Sequence, residues 1–176
     1  MAAAEFATLA SWTENANDDI RYFSGTATYR TTVPSPSVGG RRIVLDLGNV
    51  KNIAEVTVNG KAYPALWKPP FAVDVTDAVK PGDAIELEIK VTNYWPNRLI
   101  GDAQLPDDCE WDDGRNAKGF SLVKTYPDWL LNGRRSPSKR HAFSTCRLWR
   151  ATDPLHAAGL LGPVRIALRP IAGAGR

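Results

Sequence analysis

Residues 85–91 read IELEIKV, and this stretch decides the fold class. Ile85, Leu87, Ile89 and Val91 alternate with charged residues, so all four fall on one face of an extended strand. A strand with one apolar face and one charged face is typical of an antiparallel sheet that packs on a core on one side and meets water on the other. The stretch therefore predicts an all-β protein.

Other stretches alternate in the same way on both sides of residues 85–91. They are residues 25–33, 42–47, 54–58, 71–75, 142–149 and 162–168. Asn59-Gly60 predicts a hairpin, because both residues tolerate positive φ at little cost. Residues 76–82 predict a helical turn, and residues 126–131 predict a short helix with Pro127 near its start. About eight short antiparallel strands separated by turn signals indicate an all-β sandwich.

The sequence changes character between residues 92 and 141, where alternation gives way to Pro, Gly, Asp, Asn and three tryptophans. A connection of this length is uncommon in a compact domain and is usually functional or disordered. Disordered segments are poor in aromatic residues, so the tryptophans favour order. We therefore expect one long, ordered loop insertion that carries the functional residues.

The charge balance excludes some classes of partner. Lys and Arg number 22 against 19 Asp and Glu, a net charge of +3, which is too small and too scattered to predict nucleic-acid binding. No apolar run approaches the roughly 18 residues of a membrane-spanning helix, so no membrane partner is expected. One local basic cluster is either a solvated loop or a site for a sulfated or uronic-acid sugar. It consists of Arg134, Arg135, Lys139 and Arg140.

The ends of the chain carry little fold information. Residues 1–6, MAAAEF, are typical of a segment added in cloning, and Glu5 interrupts the apolar stretch that a secretion signal needs. We expect residues 1–18 to form an N-terminal extension, residues 19–170 the β-sandwich, and residues 171–176 a flexible tail.

The two cysteines, Cys109 and Cys146, lie far apart in sequence without CxxC or His-rich spacing, which disfavours zinc. They are either two buried thiols or a disulfide that joins the long loop to a strand. Sequence does not decide between these two states, because the bond requires Cα atoms less than about 7 Å apart.

Four blocks of sequence resemble a known domain family. They are YFSGTATYR at 22–30, LDLGNVKNIAEVTVNGK at 45–61, LWKPPFAVDVTDAVKPGDAIELEIKVTNYWPNRLIGD at 66–102, and GLLGPVRI at 159–166. Together they resemble the galactose-binding-like jelly-roll domain of glycoside hydrolases, over about residues 19–168. The SGTA-Y, VNG and DVT patterns are similar to the sugar-binding domain of the β-galactosidase and β-glucuronidase family. WPNRLIGDAQLPDD at 95–108 and GLLGPVRI are closer to the C-terminal domain of large bacterial α-L-rhamnosidases.

This resemblance implies a non-catalytic carbohydrate-binding or ancillary module of an α-L-rhamnosidase-type enzyme that degrades polysaccharide. The catalytic carboxylates of such enzymes lie on a separate barrel, which needs roughly 200 to 250 residues and does not fit here. The implied partners are a rhamnose- or galactose-containing polysaccharide of plants or algae and the catalytic domain of the same parent chain. The implied location of the parent protein is extracellular or periplasmic. Two alternatives stay open: a purely structural scaffold on a catalytic barrel, and a small stand-alone glycosidase or lyase.

Sugar recognition needs a flat aromatic face together with a few fixed polar groups. The candidates in and near the long loop are Trp67, Lys68, Trp95, Asn97, Arg98, Asp102, Trp111 and Trp129. Each tryptophan has the alternative role of filling a local core with its N–H bonded to the backbone. Arg98 and Asp102 have the alternative role of an internal ion pair.

An acidic run offers oxygen ligands of the kind that calcium prefers. It contains Asp102, Asp107, Asp108, Glu110, Asp112 and Asp113. Asp107, Asp108 and Asp112 are weak candidates for a structural calcium site, because the run lacks the residue order of an EF-hand loop. The alternative is that these acids are solvated.

Overall fold

The computed structural model describes residues 5–37, 39–112 and 120–171. The strands are β1 Thr26–Pro34, β2 Arg42–Asp46, β3 Asn49–Lys51, β4 Ile53–Val58, β5 Lys61–Ala62, β6 Ala72–Asp74, β7 Ala84–Thr92, β8 Ser121–Leu122, β9 Cys146–Arg147, β10 Gly159–Gly162 and β11 Arg165–Arg169. The helices are α1 Asp18–Arg21, α2 Pro96–Asp102 and α3 Asp128–Leu131, with 3-10 turns at Trp12–Glu14 and Thr76–Ala78. The all-β class is confirmed. Within the described ranges no helix has the length and apolar content to cross a membrane.

The chain divides into two compact units. The first, called here the strand unit, takes the described residues of 1–14, 25–94 and 157–176. The second, called the loop unit, consists of residues 15–24 and the described residues of 95–156. The long insertion therefore packs largely against itself. The limits predicted for the sandwich, residues 19–170, stay a prediction.

The sheets of the strand unit follow the alternation that the sequence shows. Their strand orders are β1-β7-β4-β5, β11-β2-β6 and β10-β3, and the paired strands are antiparallel. The apolar face of β7 is buried as predicted, and β2 and β4 alternate in the same way. The side chains buried on these three strands are Ile43, Leu45, Ala54, Val56, Val58, Ile85, Leu87, Ile89 and Val91. Burial on alternate positions confirms the period-two assignment.

The predicted turns are confirmed. Asn59 and Gly60 have positive φ, 47° and 80°, at the hairpin between β4 and β5. The predicted helical turn is the 3-10 turn at Thr76–Ala78, and the predicted short helix is α3, with Pro127 at its N-cap.

The strand predicted over 142–149 is wrong except at β9. Ser144 Oγ donates to the carbonyl of Cys146 at 2.7 Å and accepts from the Cys146 N–H at 3.3 Å. A side chain that bonds its neighbouring backbone in this way competes with ladder formation. Regular pairing is thus restricted to two residues.

Two further differences from the predicted secondary structure are caused by prolines. The strand predicted over 162–168 begins only at Arg165, because Pro163 has no N–H for a ladder, and Gly162 instead ends β10. The helix α2 was not predicted within the long loop. Pro96 occupies its first turn, where a proline is favoured because its missing N–H would be unpaired there in any case.

Trp12 belongs to the core of the strand unit, although it precedes the predicted sandwich boundary. It is 2% exposed, and its backbone N–H donates to the Ala158 carbonyl at 2.9 Å. Its indole N–H donates to the hydroxyl of Tyr29, which also accepts the N–H of Leu160 at 3.1 Å. Burial raises the pKa of Tyr29, so the hydroxyl stays protonated in neutral solution. One tyrosine oxygen thereby joins three distant segments of the chain.

Changing Tyr29 to Phe is expected to lower the free energy of unfolding by about 1–3 kcal/mol. The change leaves the Trp12 indole and the Leu160 N–H without their acceptor, and unpaired buried donors cost this much. Urea denaturation followed by circular dichroism measures the effect. Tyr126→Phe is the control, because Tyr126 is 55% exposed. Equal midpoints for the two variants would contradict the prediction.

Candidate functional site

The loop unit contains a cleft of about 430 Å³, within the range of small-ligand pockets. Residues 105–111 contribute to its lining from one part of the sequence and residues 140–151 from another. Aromatic and basic side chains line it together. They include Trp111, Arg140, Phe143, Arg147, Trp149 and Arg150. This combination of flat apolar surfaces and planar donors is the one that sugar recognition requires.

A small antiparallel sheet brings Trp111 and Arg147 together. Ser121 of β8 lies opposite Arg147 of β9, and Trp111 forms a bridge with Val123 just beyond β8. Because opposite residues of an antiparallel pair share a face, both side chains project to the same side. The guanidinium carbon of Arg147 lies 4.7 Å from the Trp111 ring centroid, a cation–π contact.

Asp107 links two arginines of the cleft. Its Oδ1 lies 2.9 Å from Arg140 Nη2 and also pairs with Arg147 Nη2. Arg140 in addition donates to the carbonyls of Leu105 and Pro106, at 2.8 and 3.0 Å. Its side chain is only 13% exposed. Arg140 therefore fastens residues 105–107 to the opposite segment.

The predicted basic cluster is thus divided by the structure. Arg134, Arg135 and Lys139 are exposed, in agreement with a solvated loop. Arg140 is an internal residue of the cleft, so the solvated-loop alternative does not describe it. Its carbonyl and carboxylate partners explain why a charged side chain is tolerated there.

The weak calcium candidates are bonded within the protein. Asp108 accepts the hydroxyl of Ser136 at 2.5 Å, and its Oδ1 lies 3.9 Å from Arg140 Nε. Asp112 Oδ1 accepts the N–H of Leu122 at 2.9 Å. In the described part of the chain, no three His, Cys, Asp or Glu side chains are grouped so as to hold a metal ion. Asp113 lies outside the described residues, and structural calcium stays a prediction.

Asn97 is an internal residue of the loop unit. It is 2% exposed and lies in α2. Its side-chain amide donates to the His156 carbonyl at 2.7 Å, and its amide oxygen accepts the His156 N–H at 2.8 Å. A side chain bonded on both ends in this way fixes the chain at His156, and its amide does not face a ligand.

Arg98 and Asp102 form the internal ion pair that the sequence left open as an alternative. Arg98 Nε lies 3.3 Å from Asp102 Oδ1, one turn apart on α2, and the two side chains are 17% and 2% exposed. The other oxygen of Asp102 accepts the backbone N–H groups of residues 141 and 142 at 2.9 and 2.7 Å. Asp102 therefore holds the segment that contributes Ala142 and Phe143 to the cleft.

Two of the predicted tryptophans are exposed and do not line the cleft. Trp67, in the strand unit, is 68% exposed, and the ammonium of Lys68 lies 5.1 Å from its ring centroid. Trp95, in the loop unit, is 67% exposed at the start of α2. The predicted sugar-binding residues are thus not gathered in a single cluster.

Trp129 fills a local core of the loop unit. Its indole N–H donates to the Asp108 carbonyl at 3.0 Å, and its ring meets Phe143 edge-on at 5.8 Å between centroids. The alternative role of filling a local core, with its N–H bonded to the backbone, describes Trp129.

The two cysteines are free thiols and are half-buried. Cys109 precedes the Trp111 segment on one side of β8, whereas Cys146 lies in β9 on the other side. The structure therefore contains no disulfide between them. Burial raises the pKa of Cys109, and the neighbouring carboxylates of Asp108 and Asp107 raise it further, so this thiol is protonated at neutral pH.

Sequence reasoning missed Arg147, Trp149 and Arg150, which lie in the segment taken for a strand. A signal was available, because an arginine and a tryptophan alternate in CRLWR at 146–150. Residues at alternate positions of an extended segment share a face, so this pattern places Arg147 and Trp149 on the same side.

Comparison with known proteins relates the chain to part of much longer enzymes. It is 48% identical over 164 residues to a Formosa agariphila protein named "Putative beta-glucuronidase". The match covers 92% of the chain and 13% of that protein. The chain thus spans about one eighth of this curated relative. No protein-family profile matches the chain.

Solved structures also relate the chain to part of much longer enzymes. A rhamnosidase from Novosphingobium sp. PP1Y superposes with a TM-score of 0.64 and 33% identity, over 93% of this chain and 13% of that one. A Faecalibacterium prausnitzii β-glucuronidase superposes with a TM-score of 0.57 and 25% identity, over 94% and 26%. The chain is therefore related to a domain of glycoside hydrolases. Its assignment to the jelly-roll family stays a prediction.

Proposed function

We propose, from this relation to part of glycoside hydrolases, that the chain is a non-catalytic ancillary domain that binds or positions carbohydrate in its cleft. The parent enzyme is of the α-L-rhamnosidase type and carries its catalytic domain elsewhere in the same chain. The ligand is a rhamnose- or galactose-containing polysaccharide of plants or algae. Because such polymers are too large to enter cells intact, the proposed location is extracellular or periplasmic.

The observation that carries the proposal is the pairing of indoles with guanidinium groups in one cleft. Arg147 covers one face of Trp111, which leaves Trp149 as the candidate floor for a sugar ring. Trp149 is half-buried, and its ring packs edge-on against the His156 ring at 5.3 Å between centroids. Asp107 and the arginines supply planar polar groups for hydroxyls.

Trp149→Ala is expected to weaken polysaccharide binding by about five- to thirtyfold. An aromatic contact of this kind contributes about 1–2 kcal/mol, and each 1.4 kcal/mol is a factor of ten. Isothermal titration of the intact chain against rhamnose- and galactose-containing polysaccharides measures the affinity.

Trp95→Ala is the matched control, because it removes the same side chain from the same unit at a position outside the cleft. Affinity retained in Trp95→Ala and lost in Trp149→Ala supports the cleft. The reverse result would place the site at the exposed Trp95 instead of in the cleft. An absence of heat with every polysaccharide would contradict the proposed function itself.

A second candidate function is a structural scaffold for the catalytic domain of the parent chain. The exposed Trp67 and Trp95 favour it, because large exposed indoles are common where another surface docks. A scaffold predicts no heat with any polysaccharide. It also predicts that Trp67→Ala in the parent enzyme lowers the melting temperature of that enzyme without changing the fold of the isolated chain.

The stand-alone glycosidase has less support from the geometry. Glycoside hydrolysis uses two carboxyl groups, typically about 5 to 10 Å apart, that act on the bond between them. In the cleft Asp107 is shared by two arginines, and Asp108 is 4% exposed and bonded to Ser136. These contacts tie both carboxyl groups to neighbouring side chains of the protein.

A further inference from the structure

We infer that the cleft selects an acidic glycan, whose carboxylate or sulfate group is bound by the Arg147 guanidinium with Arg150 beside it in the cleft lining. This inference rests on the proposed function, since it names the chemical class of the carbohydrate. Carboxylate and sulfate share the chemistry that matters here, which is a compact anion with two oxygen acceptors that a guanidinium fork can bond together.

The described charges of the cleft leave an excess of one cation. Its lining arginines are Arg140, Arg147 and Arg150, and its lining carboxylates are Asp102, Asp107 and Asp108. Asp102 is buried and paired with Arg98, which lies outside the lining. Two carboxylates thus remain for three arginines. A neutral sugar would leave this excess unpaired, whereas an acidic sugar neutralises it.

The Arg147 guanidinium is held in an orientation that allows it to bind an anion. Its guanidinium lies over Trp111, and one nitrogen, Nη2, is paired with Asp107. A guanidinium has five N–H donors in a fixed plane. Among the described residues, its Nε and Nη1 have no hydrogen-bond partner. Because the ring contact and the ion pair already restrict the side chain, little conformational entropy is lost when a ligand binds.

An anion can bind Arg147 without displacing the Asp107 carboxylate from the cleft. Its Oδ1 is also 2.9 Å from Arg140, so it remains paired when Arg147 turns its unoccupied donors to a ligand. Its side chain is 46% exposed, which gives the pair room to adjust. The Asp107 carboxylate therefore orients the Arg147 guanidinium before a ligand binds.

Arg150 supplies a second cation. It is exposed, and no carboxylate in the described part of the chain forms an ion pair with it. Its backbone is held by an N–H bond to Asp153 at 2.8 Å, so the side chain starts from a fixed position. An exposed cation of this kind makes binding sensitive to salt.

The test uses two pairs of polysaccharides that differ only in charge. One pair is rhamnogalacturonan and its carboxyl-reduced form, and the other is a sulfated galactan and its desulfated form. Titration calorimetry measures both pairs at about 50 mM and about 300 mM NaCl, a range over which the screening length falls about 2.4-fold. We expect the charged member of at least one pair to bind about tenfold tighter than its neutral partner at low salt. The pair that shows the difference distinguishes carboxylate from sulfate.

Variants assign the selectivity to Arg147. Arg147→Gln is expected to weaken binding of the charged polymer about tenfold more than it weakens binding of the neutral partner. Arg147→Lys, which keeps the charge but loses the planar fork, is expected to show most of the same loss. Arg165→Gln is the control, since it removes an exposed arginine from β11 in the strand unit. Melting curves confirm that each variant is folded, and the Lys variant tests the inference should the Gln variant unfold.

The outcomes separate this inference from the proposed function. Equal affinity for charged and neutral members, with affinity still lost in Trp149→Ala, overturns the acidic specificity and retains the carbohydrate site. Equal loss in Arg147→Gln and Arg165→Gln overturns it as well, because the attraction would then be unspecific. No binding to any of the four polymers overturns both proposals.

Discussion

Replacing Asp102 by Ala is expected to lower the free energy of unfolding by about 3–5 kcal/mol, because breaking a buried ion pair leaves its partner charge uncompensated. Asp102 is 2% exposed, and Arg98 is its partner at 3.3 Å. The same carboxylate accepts the N–H groups of residues 141 and 142, and these donors also lose their acceptor. The effect thus combines an orphaned cation with two unpaired backbone groups.

Urea denaturation followed by circular dichroism measures the loss, and hydrogen exchange at residues 141 and 142 reports where it occurs. Asp18→Ala is the matched control, since Asp18 pairs with Arg21 at 3.6 Å but is 73% exposed. An exposed pair of this kind contributes little, and we expect a change below about 1 kcal/mol. Asp102→Asn retains an acceptor and removes only the charge, so an intermediate loss is expected. A loss for Asp102→Ala no larger than that for Asp18→Ala would show that the pair is not structural.

The strands that could be predicted are those whose own residues encode the buried face. In β7 four apolar residues alternate with charged ones, so neither partners nor turns need to be known. Trp12 could not be placed in this way. Its burial depends on Tyr29 and on residues 158–160, which are distant in sequence. No local periodicity of the sequence predicts such contacts.

The sequence indicated aromatic and polar side chains in and near the long loop, but it did not indicate which of them lie together. Arg98 and Asp102 lie close in sequence, so an ion pair between them was available as an alternative, although the helix that carries both residues was not predicted. The contact between Arg147 and Trp111 had no such local signal. It exists because β8 pairs with the segments on both of its sides, and those pairings join residues far apart in the chain. Loop sequences thus indicate ligand chemistry, whereas long-range pairing decides which side chains share a cleft.

Gly159→Ala is expected to destabilise the strand unit by about 2–6 kcal/mol. Gly159 has φ of +98°, a conformation that costs a residue with a Cβ about 1–3 kcal/mol. A Cβ at this position would also lie 2.4 Å from Trp12 Nε1, and overpacking of this kind costs about 1–3 kcal/mol. The indole cannot yield freely, because its N–H is held by Tyr29. Thermal and urea unfolding measure the sum of the backbone cost and the cost of the clash.

Two comparisons separate the backbone cost from the clash. Gly60→Ala has a similar φ of +80° but no atom within 4 Å of the new Cβ, so it reports the backbone cost alone. In a Trp12→Leu background the indole is absent, and the cost of Gly159→Ala is expected to fall to that of Gly60→Ala. A coupling energy between residues 12 and 159 then measures the clash directly. Equal costs of Gly159→Ala in both backgrounds would mean that backbone conformation alone requires glycine there, and that the indole has room to move.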